Sequence, residues 1–134
     1  MEYTLRIKLQ QLLDEGYNFF TGVPDSALKS FIDEIIDSDV THVVATNEGQ
    51  AIGIAVGSEL SGKKACVNLQ NSGLGNIINP LTSLCIPSNV NPLLVIGHRH
   101  TLPQHKIMGE VDEKILKLIG YDNYILSYGE NSEK

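Results

Sequence analysis

Basic side chains are scarce in this sequence, and their scarcity excludes several classes of function. The 134 residues include 10 lysines and arginines against 16 aspartates and glutamates, so the formal net charge is −6. Proteins that bind nucleic acids or anionic membrane surfaces need a basic face. The acidic balance therefore argues against both, and we expect neither a nucleic acid nor a membrane as partner.

Charged residues of either sign are also few. They make up 19% of the chain, against about 25% in an average soluble domain. This shortage suggests that another protein chain covers part of the surface. A chain of this length suits one domain with one core, so we expect residues 1–134 to form a single domain.

Long apolar runs and paired cysteines are missing as well. No run approaches the roughly 20 residues of a membrane span, and the start of the chain does not resemble a signal peptide. Cys66 and Cys85 lie in apolar stretches without CxxC spacing, which favours reduced core thiols over a disulfide or a metal site. These features predict a cytoplasmic protein.

Predicted strands and helices alternate along the chain. Val43 and Val44 predict a buried strand, and the apolar run at 92–98 predicts a strand buried on both faces. The alternation predicts an α/β fold, a doubly wound and mostly parallel sheet with helices on both faces. Predicted strands lie within 17–23, 41–46, 61–71, 92–98 and 121–127, and predicted helices cover 3–15, 24–38, 49–60, 72–86 and 111–120.

Four polar stretches follow the carboxyl ends of the predicted strands. Ligands of such sheets bind beyond those ends, so we expect the stretches to converge on one edge. They are residues 22–26, 47–48, 71–76 and 97–105.

The stretch QNSGLGN (70–76) has the glycines of a phosphate-binding turn but fails its stronger tests. It lacks GxxxxGK[ST], and Ile78 stands where GxGxxG requires its third glycine. An ordinary tight turn from strand to helix is therefore favoured.

Gly49, Gly53 and Gly57 share one face of the predicted helix 49–60. Each costs a helix interior roughly 0.5–1 kcal/mol relative to alanine, so that face must admit another backbone. Close packing on the domain's own sheet and packing across a subunit interface explain the stripe equally well.

Cationic side chains cluster after the fourth predicted strand. A surface loop is the favoured interpretation, an anion-binding loop is second, and a metal site is third because the spacing matches no established zinc signature. The cluster comprises His98, Arg99, His100 and His105, beside Gln104.

Two carboxylates occupy predicted helix starts. Asp25 is most simply a helix cap, and Glu48 would interact favourably with the helix dipole. The dipole does not explain why the neighbours of Glu48 are small and apolar. A carboxylate sheltered in that way suits proton transfer.

Taken together, these segments resemble the pyrimidine-binding (Pyr) domain of thiamine-diphosphate-dependent 2-oxoacid decarboxylases. The matching segments are TGVPDSALKSFIDEI, ATNEGQAIGIAVGSELSGKKACVNLQNSGLGNIINPLTSL, PLLVIGHR and LPQHKIMG, within about residues 17–109. The nearest likeness is to phosphonopyruvate decarboxylase, which NPLTSL favours, and sulfopyruvate decarboxylase is a related second. The resemblance implies decarboxylation of a small anionic 2-oxoacid.

The resemblance also implies roles for individual residues. Glu48 would be catalytic, forming a hydrogen bond with N1′ of the cofactor's aminopyrimidine and relaying a proton. Helix 49–60 would form the interface between paired domains. Further cofactor contacts are implied for Val23, Asn71 and Ser72, and substrate contacts for Asp25, Arg99, Gln104 and His105.

Thiamine diphosphate and Mg²⁺ would be held mainly by a partner. The diphosphate-binding (PP) domain, or beta subunit, has a GDG-plus-Asn signature that this sequence lacks. The segment 99–103 is also shorter than in the family, and the polar end YGENSEK stands where a further helix is usual. The chain is thus expected to be a split subunit or a trimmed domain.

Two other functions compete with a decarboxylase subunit. One is a non-catalytic nucleotide-binding or regulatory module, which the failed phosphate-loop tests disfavour. The other is an interaction protein that keeps the fold without chemistry, for which the presence of both Glu48 and the turn 71–76 would be coincidental.

Overall fold

The computed structural model describes residues 2–4 and 6–128, and their strands form one fully parallel sheet. The strands are β1 (Glu2–Thr4), β2 (Phe19–Gly22), β3 (Thr41–Val44), β4 (Ala65–Gln70), β5 (Leu93–Gly97) and β6 (Tyr124–Ser127). Their spatial order is β1-β6-β5-β4-β2-β3. The predicted α/β class is confirmed.

Helices connect the strands and cover both faces of the sheet. They are α1 (Leu9–Asp14), α2 (Lys29–Ile36), α3 (Glu48–Leu60), α4 (Ile78–Pro80), α5 (Ile86–Ser88) and α6 (Pro103–Ile119). A 3₁₀ turn precedes α2, another (Asn71–Asn76) follows β4, and a π-helical turn (Leu81–Cys85) joins α4 to α5. Because each connection is a parallel crossover, the carboxyl ends of all the strands lie on the same side of the sheet.

Two apolar clusters, one on each face, enclose the central strands. Phe20, Phe31 and Ile35 belong to the cluster beneath α1 and α2, and Ile52 and Leu116 belong to the cluster beneath α3 and α6. All five residues of β5 are buried, as its apolar run predicts. Cys66 and Cys85 are buried free thiols, also as predicted, and burial raises the pKa of Cys85 to about 11.

The prediction that β3 is buried is wrong. Val43 is 37% exposed and Val44 is 60% exposed, because β3 is an edge strand that pairs with β2 alone. Ile36 at the end of α2 is also exposed, at 62%. This margin of the sheet therefore presents apolar side chains to solvent.

The amino-terminal end of the described chain departs from the predicted helix. The helix expected over 3–15 begins only at Leu9, and Glu2–Thr4 instead form β1, which pairs with β6. Gly16 has a φ of +93°, as expected after a helix end. Leu5 and the tail 129–134 lie outside the described residues.

The final helix is longer than predicted. α6 begins at Pro103 rather than at 111, so Gln104 and His105 lie in its first turn and not in a loop. Proline is well accommodated at such a position because its missing N–H has no partner there. In the described part of the chain, no helix is both long and apolar enough to cross a bilayer.

Candidate active site

The polar stretches that follow β2, β4 and β5 meet at one edge of the sheet, as predicted. Nη1 of Arg99 donates to Oγ of Ser26 at 3.2 Å and to Oε1 of Gln70 at 3.3 Å. Nδ2 of Asn71 donates to the carbonyl oxygen of Arg99 at 2.8 Å. These bonds join the ends of three strands, and the site is built around them.

Glu48 begins α3 and points toward the turn Asn71–Asn76. Its Oε1 accepts a hydrogen bond from Nδ2 of Asn76 at 2.8 Å. Gly73 lies against the rest of the carboxylate, because a Cβ added there would be 2.8 Å from Oε2 of Glu48 and 2.7 Å from its Cγ. The side chain is half-buried rather than enclosed, since β3 beside it is an exposed edge. The chain by itself does not supply the shelter expected from the sequence.

Asp25 is the more deeply buried carboxylate, at 8% exposure. Its Oδ1 accepts a hydrogen bond from the amide of Ala27 at 3.2 Å, which confirms the predicted cap. Its Oδ2 is buried without a hydrogen-bond partner and lies against Gly97, where a Cβ would approach to 2.1 Å. Only glycine leaves this oxygen room.

Burial raises the pKa of Asp25 above its ordinary value. The hydrogen bond from Ala27 and the nearby Arg99 and His105 act in the opposite direction, but desolvation is the largest influence. A cleft of about 280 Å³ opens beside this carboxyl, and its walls include Pro24, Ser26 and Ile32. Asp25 thus lines a cavity at the predicted ligand edge.

The other predicted site residues differ in accessibility. Ser72 is exposed and its Oγ accepts a hydrogen bond from Nε2 of Gln70 at 2.8 Å. Val23 is half-buried, and its backbone N–H donates to the carbonyl of Asn68 at 3.1 Å. Gln104 is exposed, whereas His105 is half-buried with Nδ1 enclosed and not hydrogen-bonded. Their contacts with a cofactor or substrate stay predictions.

The favoured surface-loop interpretation of the cationic cluster is wrong for His98. This side chain is only 7% exposed, because its Nδ1 pairs with Oδ2 of Asp112 at 2.5 Å. His100 is exposed and stacks on His98 with 5.2 Å between ring centroids. Across residues 2–4 and 6–128, no three histidine, cysteine or acidic side chains are placed to hold a metal ion.

The glycine stripe of α3 opens to solvent rather than to the sheet. Gly53 and Gly57 are exposed, and a Cβ at either position would meet nothing within 4 Å. Ala51 and Ala55 on the opposite face are fully buried. Of the two explanations for the stripe, packing on the domain's own sheet is therefore wrong for Gly53 and Gly57.

Asp112 is a buried polar residue that the sequence pattern did not single out. It is 2% exposed and accepts a hydrogen bond from Nδ2 of Asn71 at 3.0 Å. The available signal was helical spacing, since Met108, Asp112 and Leu116 repeat every four residues along one face. The expectation that α6 starts only at 111 concealed this repeat.

Comparison with known proteins identifies the family. The domain described as "Thiamine pyrophosphate enzyme, N-terminal TPP binding domain" matches residues 6–116. The chain belongs to this family. The resemblance found in the sequence is confirmed. Thiamine diphosphate is the cofactor that domains of this family bind.

The related proteins include two kinds of decarboxylase. Sulfopyruvate decarboxylase subunit alpha of Methanococcus maripaludis is 37% identical over 114 residues, which cover 81% of this chain and 68% of that protein. Phosphonopyruvate decarboxylase of Streptomyces viridochromogenes is 37% identical over 109 residues, covering 77% of this chain and 28% of that protein. The two identities do not favour the phosphonopyruvate branch.

A solved structure supports the fold alone. The 2-oxoglutarate:ferredoxin oxidoreductase from Magnetococcus marinus superposes with a TM-score of 0.59 at 16% sequence identity. The match covers 84% of this chain and 26% of that one.

Proposed function

We propose that this chain is the pyrimidine-binding subunit or domain of a thiamine-diphosphate-dependent decarboxylase. It would act on a small 2-oxoacid that carries a tetrahedral anion and would release CO₂ and the corresponding aldehyde. Phosphonopyruvate, yielding phosphonoacetaldehyde, and sulfopyruvate are equally supported substrates, because relatives of both kinds match at similar identity. The observation that carries the proposal is the Glu48 carboxylate held at the ligand edge of a thiamine-pyrophosphate-binding domain.

The residues around Glu48 suit one edge of an aminopyrimidine. Nδ2 of Asn76 donates a hydrogen bond to Oε1 of Glu48. Oε2 faces Gly73, which has no side chain to fill the space beside it. Oε2 can therefore form a hydrogen bond with a ring nitrogen and hold or release a proton there. When bound, thiamine diphosphate supplies the carbon nucleophile and the electron sink, and the protein supplies the proton-relay carboxylate and the placement.

The substrate side would be formed by Arg99 and its neighbours. Arg99 is tied to Ser26 and Gln70, and a guanidinium suits a phosphonate or sulfonate because it offers several N–H donors in a fixed plane. Asp25 lies close to Arg99. Burial raises the pKa of Asp25, and the positive charge of Arg99 opposes that rise. We assign substrate contacts to Arg99, Asp25, Gln104 and His105.

A second chain would complete the site. Relatives named as alpha subunits support such a partner, and this sequence lacks the GDG-plus-Asn signature that would hold Mg²⁺ and diphosphate. The open glycine face of α3 and the exposed Val43 and Val44 offer surfaces for association. We propose that α3 also pairs with a second copy of this domain. A cytoplasmic location stays a prediction.

The test is to combine this chain with a PP-domain chain, thiamine diphosphate and Mg²⁺, and to follow CO₂ release from phosphonopyruvate and from sulfopyruvate. We expect activity only with both chains present. Glu48→Gln should lower kcat by about 10²-fold or more, since an amide cannot relay the proton.

Glu59→Gln is the matched control on the same helix. Glu59 lies in the last turn of α3 and accepts a hydrogen bond from the amide of Ala65 at 3.1 Å, which glutamine can also do. This variant should keep the parent rate. Activity of the chain without any partner, or full activity of Glu48→Gln, would contradict the proposal.

A further inference from the structure

Asp112 stands out because α6 buries a carboxylate where its helical face should be apolar. It is 2% exposed, whereas Glu110 and Lys114 on the same helix are exposed. A carboxylate removed from water is costly unless hydrogen bonds compensate it. An apolar residue would attach α6 to the sheet without this cost, so helix packing alone does not account for Asp112.

Both oxygens of Asp112 are hydrogen-bonded. Oδ1 accepts from the amide of Glu113 at 2.7 Å. Oδ2 pairs with Nδ1 of His98 at 2.5 Å and accepts from Nδ2 of Asn71 at 3.0 Å. A single oxygen thus holds the residue that follows β5 and the residue that follows β4.

Each of these two residues leads to a different half of the candidate site. Asn71 opens the turn whose Gly73 packs against Glu48, on the cofactor side. His98 directly precedes Arg99, whose guanidinium contacts Ser26 and Gln70 on the substrate side. Nδ2 of Asn71 also donates to the carbonyl of Arg99, so the two halves share one network.

The helix backbone is close enough for this network to be stiff. Gly109 lies one turn before Asp112, and a Cβ there would be 2.4 Å from Cβ of His100 and 2.8 Å from the carbonyl oxygen of Arg99. α6 therefore rests directly on the segment that presents Arg99. A shift of Asp112 would be transmitted to that segment.

We propose that Asp112 is a positioning residue, which holds the Glu48 half and the Arg99 half of the site in fixed register through His98 and Asn71. The proposal rests on the proposed function for the identity of the two halves. An ionised carboxylate can only accept hydrogen bonds. Nδ1 of His98 therefore carries the proton that it donates to Asp112. Asp112 would act through His98 and Asn71, without contacting the cofactor or the substrate.

The kinetic test uses the complex with its PP-domain partner and compares Asp112→Asn with Glu110→Gln, an exposed residue of the same helix. We expect Asp112→Asn to raise both the KM for the 2-oxoacid and the Kd for thiamine diphosphate, with kcat/KM lower by about tenfold or more. Glu110→Gln should change neither. If Asp112→Asn lowers the Tm but leaves both constants unchanged, Asp112 is only a packing residue and the proposal fails.

A second comparison uses His98, in case Asp112→Asn does not fold. Asparagine can place an amide N–H near the position of Nδ1, whereas alanine cannot donate at all. We therefore expect His98→Ala to impair the complex and His98→Asn to restore part of the loss. Equal impairment by both variants would argue against positioning by this hydrogen bond.

An activity-independent measurement separates this proposal from the proposed function. In ¹H–¹⁵N spectra of the full chain, Asp112→Asn should shift the backbone amide of Gly73 and the guanidinium signal of Arg99, and Glu110→Gln should shift neither. If the parent complex releases no CO₂ from any 2-oxoacid, the proposed function fails and these spectra decide about Asp112. Unmoved Gly73 and Arg99 signals would overturn the positioning role.

Discussion

Glu48 and Asp25 are carboxylates that both follow the carboxyl ends of strands, yet their surroundings are opposite to those expected. Glu48 was expected to be sheltered among small apolar residues, but it is half-buried. Asp25 was expected to be an ordinary cap, but it is 8% exposed and one of its oxygens has no hydrogen-bond partner. The domain's own fold shelters Asp25, whereas any further shelter for Glu48 must come from outside the described residues.

This difference follows from the order of the strands. Asp25 follows β2, which is paired on both sides, with β3 on one side and β4 on the other. Glu48 follows β3, which is the edge strand. A partner chain that covers α3 and β3 would therefore bury Glu48 and leave Asp25 as it is.

The largest expected effect comes from blocking the association of a partner chain with α3. Gly53→Leu places a bulky side chain on the open face of α3, where the isolated chain has room for it. We expect its Tm to be no lower than that of the parent, because leucine is a better helix former than glycine. Association should be lost, and with it all CO₂ release.

Analytical ultracentrifugation of the mixed chains measures this association. Lys114→Leu adds the same side chain at an exposed position of α6 and should leave the complex intact. A Gly53→Leu variant that assembles and turns over normally would show that this face of α3 is not an interface.

A smaller effect is expected when the Glu48 carboxylate is displaced within an intact complex. A methyl group at position 73 would lie 2.7–2.8 Å from three atoms of Glu48, so the flexible side chain must move away. Gly73→Ala should lower kcat by about 10²-fold, since small misplacements of a catalytic group have effects of that size. The Tm should change little.

Gly75→Ala provides the matched control for this variant. Gly75 lies in the same turn, but a Cβ there would meet nothing within 4 Å. Stopped-flow or steady-state CO₂ release should match the parent rate for Gly75→Ala. Equal losses from both alanines would indicate a general effect on the turn rather than displacement of Glu48.

The sequence predicted the parts of the fold that depend on local pattern. β5 is an uninterrupted apolar run and α3 follows a clear strand end, and both lie where expected. Strand order is set by contacts far apart in sequence, so Val43 and Val44 gave no sign that β3 would be an edge. The exposure of Glu48 could not be predicted either, because it also depends on the edge position of β3.

The course of α6 was missed for a different reason. Gly109 lowers helix propensity, so the pattern predicted a helix only from 111. In the structure this glycine allows the helix to touch the backbone of Arg99 and His100. Tertiary contact thus overrides local propensity, and it places His98, Asn71 and Asp112 in contact across 41 residues of sequence.

The smallest expected effect concerns Asp25 and is a change in stability with pH. Burial raises its pKa above the ordinary 3.8, so between 3.8 and the raised value the folded chain binds more protons than the unfolded chain. The free energy of unfolding therefore falls as pH rises through that window and stays lowered above it. Asp25→Asn cannot ionise, and an asparagine side chain can still accept the hydrogen bond from Ala27.

Urea unfolding of the full chain from pH 3.5 to 8 measures this contribution. We expect Asp25→Asn to unfold at higher urea concentration than the parent at pH 7, and the two chains to converge as pH falls toward 3.8. Asp33→Asn, which alters an exposed carboxylate on α2, should not reproduce this convergence. An Asp25→Asn variant that is less stable than the parent at pH 7 would mean that the carboxylate is compensated by partners, and its contrast with Glu48 would disappear.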